Sequence, residues 1–237
     1  TAWTEHFIND DWSNVDWRLD EDNVWWRRLN ELTRRVAEDA AGRYVVCSPD
    51  LGGASDALLS MRGSVEMCMD VAEQPERIAA AMDAIYPIWR RVIAAPFDRA
   101  TGAGAGLIHW LGVWSNRPYI VPTCDFNYML GPEQFERICL PDIQRLCRSI
   151  DRSMFHLDGP GAAKHIDALL SIPELDVVQF TPGVQNPRGL PWVEMYRKVQ
   201  AAGKSLLAVC LVGEVLELCE QLKPEGLCLL LDASEPV

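Results

Sequence analysis

The stretch that decides the fold reads Ser153-Met154-Phe155-His156-Leu157-Asp158-Gly159-Pro160-Gly161. A mainly apolar lead-in gives way to alternating polar and apolar positions, and a Gly-Pro-Gly turn follows. This is the pattern of a buried strand that hands the chain to a turn, with a helix expected beyond it over 162–171. His156 and Asp158 stand two residues apart, so on a strand both point to one face. An imidazole and a carboxylate then arrive together at a strand's carboxyl end, where parallel α/β proteins keep their chemistry. The pair can act as metal ligands or as general acid and base. The plainer alternative is turn chemistry, with Asp158 capping the next helix and His156 bonded to backbone. Two polar side chains are costly to bury without purpose, which favours the functional reading.

Outward from this stretch the pattern repeats. Six β-rich runs, at 43–47, 107–111, 153–156, 177–180, 205–210 and 227–231, alternate with helical periodicity at 24–41, 54–61, 64–95, 132–151, 162–171, 192–202 and 214–222. The runs are solidly apolar, as expected where both faces of a parallel sheet are covered. The expected class is α/β. A TIM-type (β/α)8 barrel needs two strands more than the six visible, supplied before Thr1 or by the first 22 residues; a six-stranded open sheet fits the periodicity equally well. The chain opens at Thr1 without Met, as a processed or trimmed product would. Residues 1–22, with Trp3, Trp12 and Trp17 among Asp and Asn, read as an irregular arm packing its aromatics on the body, and 23–237 as a single domain.

Composition narrows the function. Over 237 residues, 49% are apolar and 24% charged, which suits one substantial core. A net charge of −12 with no Lys/Arg cluster argues against a nucleic-acid binder. No apolar run reaches the roughly 20 residues that span a membrane. The eight cysteines form no CxxC pair, so reduced, mostly buried thiols in a cytoplasmic protein are expected.

Further candidates lie at other strand ends. Asp50, in Ser-Pro-Asp-Leu-Gly-Gly, is a substrate-binding carboxylate or a helix cap. Trp110 and Trp114, with His109, are cavity walls or core. Cys124 and Asp125 sit in the long segment 112–131, and long segments are disproportionately functional. Cys124 is a thiolate metal ligand alongside His156 or a packed small residue, and Asp125 a substrate-binding carboxylate or a turn cap. Gln179 closes the fourth run and offers hydrogen bonds to a ligand. Gly102-Ala103-Gly104-Ala105-Gly106 precedes a strand and lacks the Lys-Ser/Thr of a phosphate loop. His165 reads as surface or packing.

Several of these segments together resemble the uroporphyrinogen decarboxylase superfamily. Val-Pro-Thr-Cys-Asp-Phe-Asn-Tyr-Met-Leu-Gly-Pro-Glu-Gln-Phe-Glu-Arg-Ile-Cys-Leu-Pro, from Val121 to Pro141, is similar to that family's loop and following helix. His-Leu-Asp-Gly-Pro-Gly is similar to the strand end where its methyltransferase relatives carry His-x-Cys-Gly. Ile172-Pro173-Glu174-Leu175-Asp176, Ala202-Gly203-Lys204 and Pro224-Glu225-Gly226-Leu227 extend the likeness from about Asp22 to Asp232.

The resemblance implies a TIM-type (β/α)8 barrel with its site at the carboxyl ends of the strands. It implies methyl transfer linked to a corrinoid protein or to cobalamin; the alternatives are decarboxylation of a porphyrinogen and a non-catalytic ligand-binding barrel. It implies zinc, with His156, Asp158 in the place of the family's cysteine, and Cys124 or Cys228 completing the set, activating a substrate thiol. The decarboxylase branch carries an Arg-rich segment near its start, which nothing before Asp22 matches. The expected partners are a small-molecule substrate and a corrinoid protein, with a homodimer allowed.

Overall fold

The computed structural model describes residues 5–232. The chain divides into two compact units: one runs to Val121 and takes in Ser149–Asp151, the other comprises Pro122–Arg148 and the chain from Arg152 onward. The architecture is mixed α/β with mostly parallel pairing.

In the first unit, α1 (Val24–Ala40) starts at Asn23, whose side-chain oxygen accepts from the backbone of Trp25 and Trp26. It ends where Ala41 turns left-handed. After β1 (Val46–Cys47) come α2 (Ala54–Arg62), α3 (Ser64–Glu73) and α4 (Pro75–Gly102). The single helix expected over 64–95 is therefore two. Pro75 lacks an N–H and pushes the residue before it out of the α region, and Gln74 accordingly sits at φ −140°, ψ 52°. The second helix then runs on through Pro87 and Pro96. A buried ion pair joins the neighbours: Arg62 Nε donates to Asp70 at 2.7 Å, and its other nitrogens reach the Ile8 carbonyl and Asp10.

β1 pairs in parallel with β2 (Leu107–Ile108), and β2 antiparallel with β3 (Trp114–Ser115). β1 and β2 are each two residues long where five were expected. Arg43 and Tyr44 are drawn back to the end of α1, through Arg43 N to Ala40 O and the Tyr44 hydroxyl to Asp39. A turn closed by Gly112 N and His109 O cuts the second short. The segment expected to be a long loop, 112–131, contains β3, β4 (Tyr119–Ile120) and a 3-10 helix, Asp125–Met129. The described strands thus number eight, not six.

Among the described residues, the arm before α1 is irregular but for one 3-10 turn, Trp12–Asn14. Phe7 and Ile8 bond to Met61 O, and Arg62 and Arg77 lie over the Trp12 ring. Trp3 lies outside the described residues.

In the second unit, α5 (Pro132–Gln134) passes through a π turn at Phe135–Cys139 into α6 (Leu140–Arg148). Pro141 has no N–H to continue the i−4 ladder, and Leu140 N reaches Phe135 O instead. Four parallel strands follow in chain order: β5 (Arg152–Asp158), β6 (Val177–Thr181), β7 (Ser205–Leu211) and β8 (Leu227–Asp232). Connections carrying α7 (Ile166–Leu170), α8 (Val193–Ala201) and α9 (Val215–Gln221) join them, as parallel pairing requires. Phe155, Phe180, Tyr196, Val199 and Leu206 are fully buried around this sheet. The strands form open sheets, and no closed barrel exists among the described residues.

No disulfide joins the cysteines. Four are buried (Cys124, Cys139, Cys147 and Cys210), while Cys47, Cys219 and Cys228 are exposed, fewer in the core than expected.

Candidate metal centre

Strand register assembles the site in the second unit. His156 is level with Gln179 on β6, and Asp158 with Thr181. On the other side of β5, Thr123 bridges His156 in parallel, with His156 N donating to Pro122 O at 3.1 Å. Two residues on, Asp125 opens the 3-10 helix, and its carboxylate reaches the His156–Asp158 pair. Ligand atoms of Asp125, His156 and Asp158 all lie within 4.8 Å of one another; the two carboxylates are exposed and the imidazole is half-buried.

The imidazole is held from behind. Gln179, fully buried, donates its amide N–H to Thr181 Oγ1 at 2.8 Å, which turns its carbonyl oxygen toward Nδ1 of His156. A carbonyl oxygen only accepts, so Nδ1 carries the proton in this pairing. Nε2 is then the nitrogen left to serve the cluster, as a lone-pair ligand in the neutral ring or a donor in the charged one. This is how metal-bound histidines are commonly oriented.

Beyond Asp158 the chain turns at Gly159, whose φ of 80° suits glycine and whose N–H donates to Thr181 O at 2.7 Å. Tyr128, in the same 3-10 helix as Asp125, lies over this turn. Sequence reasoning passed over Tyr128. Its signal was the three-residue spacing from Asp125, legible only once the segment is known to be a 3-10 helix.

The structure brings together His156, Asp158, Asp125 and Gln179. Cys124 and Cys228 are outside the group of ligand atoms. Cys124 is one residue out of step with Thr123 and Asp125 and is 1% exposed. Cys228 shares the row of His156, through Gln179 and Leu207, but three strand spacings separate them, about 14 Å of sheet.

Asp50, Trp110 and Trp114 belong to the first unit. Asp50 is exposed and caps its own turn by accepting from Gly52 N. Trp110 and Trp114 are both exposed, the second donating its indole N–H to Ala105 O. His109 is buried against Tyr119, and burial lowers its pKa. In the second unit His165 is buried and stacked on Phe135, its Nε2 bonded to Asn127 O at 2.9 Å, and burial lowers its pKa too. Of the two expectations, surface or packing, the structure shows packing.

Two carboxylates and one imidazole form an oxygen-rich donor set suited to a hard or borderline divalent cation, zinc included. The set lacks thiolate. No protein-family model, no curated protein and no solved structure matches this chain.

Proposed function

We propose that this chain is an enzyme of the uroporphyrinogen decarboxylase type whose centre, Asp125, His156 and Asp158, binds a divalent cation and handles a small-molecule substrate in corrinoid-linked methyl transfer. The observation that carries the centre is the register that sets the three side chains within 4.8 Å at the strands' carboxyl ends, with His156 oriented by Gln179. The methyl chemistry rests on the resemblance of 121–141 and 156–161. The barrel relationship draws support from strand order. β5 to β8 add in sequence order; crossovers of the usual right hand would then put their helices on one face, as in a barrel, whereas a doubly wound sheet reverses order.

Each residue has a distinct task. Asp125, Asp158 and His156 would hold the cation, which when bound lowers the pKa of a substrate thiol or water. Gln179 keeps the imidazole in one tautomer and Thr181 keeps Gln179 aimed. In the absence of a cation the same imidazole and carboxylates exchange protons with substrate as general base and acid. A cation held by this thiolate-free set would be less electron-rich than one held by cysteines, and so would supply stronger Lewis acidity.

The test is calorimetric titration of the purified chain with Zn2+ and with Mn2+, on wild type and His156→Ala. One cation per chain, lost in the variant while its circular dichroism is unchanged, is expected. Equal uptake by both proteins removes His156 from the site, and no uptake by wild type removes the metal centre.

A further inference from the structure

We infer that Tyr128 is the substrate-positioning residue beside this centre, and that the ligand it selects carries a planar aromatic ring next to a cation-binding oxygen group. The inference rests on the metal-centre reading and names the substrate class for it.

Its first support is the shared helix. Asp125 and Tyr128 stand three residues apart in a 3-10 helix, where side chains at i and i+3 eclipse. The ring therefore projects from the same side as the carboxylate. Its second support is the seat. A Cβ on Gly161 would come within 2.5 to 2.8 Å of Tyr128 Cε2, Cζ and Cδ2, and one on Gly159 within 3.1 Å of Cε2. The turn that follows Asp158 is thus bare where the ring rests on it. Gly161, unlike Gly159, does not have positive φ, so backbone conformation does not explain glycine there; the ring does.

Its third support is rigidity. The carbonyls ending the short helix are tied down: Asn127 O accepts from Leu130 N and from His165 Nε2, and Tyr128 O from Lys164 Nζ at 3.1 Å. Despite this seat and these ties, Tyr128 remains 53% exposed. An aromatic ring held on one side, open on the other and adjacent to Asp125 and Asp158 offers a surface for a second ring. Aliphatic ligands gain less from it.

The experiment compares benzohydroxamate with acetohydroxamate, two chelators with the same cation-binding group, by calorimetry on the Zn2+-loaded chain. The ring-bearing probe should bind about three- to tenfold tighter than its aliphatic counterpart. Tyr128→Ala should erase that preference while leaving Zn2+ affinity unchanged, and Tyr128→Phe should keep it. Gly161→Ala, whose added methyl must displace the ring, should weaken the preference as Tyr128→Ala does, with the melting temperature reporting that the fold persists. Equal affinity for the two probes in wild type, or a preference that survives Tyr128→Ala, overturns the role of Tyr128 but leaves the metal centre standing. Failure of wild type to take up Zn2+ overturns both.

Discussion

At the scale of single residues, the pairing of His156 with Asp158 was legible because strand parity is set by covalent geometry alone. Their company was not. Asp125 joins them only because Thr123 pairs with His156, a contact between positions 33 residues apart that no local pattern encodes. The thiolate expectation shows the same limit: Cys228 has the right face and row, yet lies strands away. Gln179 gives the sharpest residue-scale prediction. Gln179→Leu keeps the volume but removes the acceptor for His156 Nδ1, and cation affinity should fall about 10- to 100-fold, the usual cost of losing such an orienting partner. Titration of the variant with Mn2+ measures it.

His165 yields a second. Burial holds its folded pKa below the ordinary 6.5, so the unfolded chain binds the proton more readily. Stability is therefore fully present above 6.5, is lost as pH falls below it, and levels off only under the depressed folded value. His109 acts in the same direction. Urea midpoints should drop between pH 7.5 and pH 5.5, about one unit either side of that ordinary value, and the drop should shrink in His165→Gln. An undiminished drop in that variant assigns the proton uptake to other groups.

At the scale of elements, the strands of the second unit were readable because long apolar runs between turn residues leave little choice. The first unit was less so. Its strands β1 and β2 are short because turns and tertiary bonds reclaim their ends, Arg43 and Tyr44 going to α1. Periodicity continued across Gln74 although proline chemistry breaks the helix there. The buried Arg62–Asp70 pair was invisible too, since each residue alone reads as a solvated helix position. Both side chains are about 6 to 7% exposed. Arg62→Met leaves Asp70 buried without that partner and should cost about 3 to 5 kcal/mol, whereas adding Asp70→Leu should restore most of it. Chemical denaturation of the single and double variants checks this. A double variant no more stable than the single one would mean the pair's geometry, not its charge balance, matters.

At the scale of the whole molecule, composition reported class and charge but not closure. Alternating strands and helices specify α/β; the order of strands depends on crossovers, which local sequence does not reveal. The division of the chain at Val121 was likewise absent from the sequence, where 112–131 looked like one continuous loop. Charge is the property that scales most directly. With a net of −12, the chain should show no retention on heparin and no shift of duplex DNA at about 0.1 M salt. Binding that weakens steeply with salt would mean a basic surface that the overall count conceals.

The central claim is a cation held by Asp125, His156 and Asp158. Crystals grown with Zn2+ and measured at the zinc absorption edge address it most directly. A single anomalous peak within ligand distance of these three side chains, gone in His156→Ala, is the result expected. A peak on the cysteines instead, or none beside His156, would contradict it.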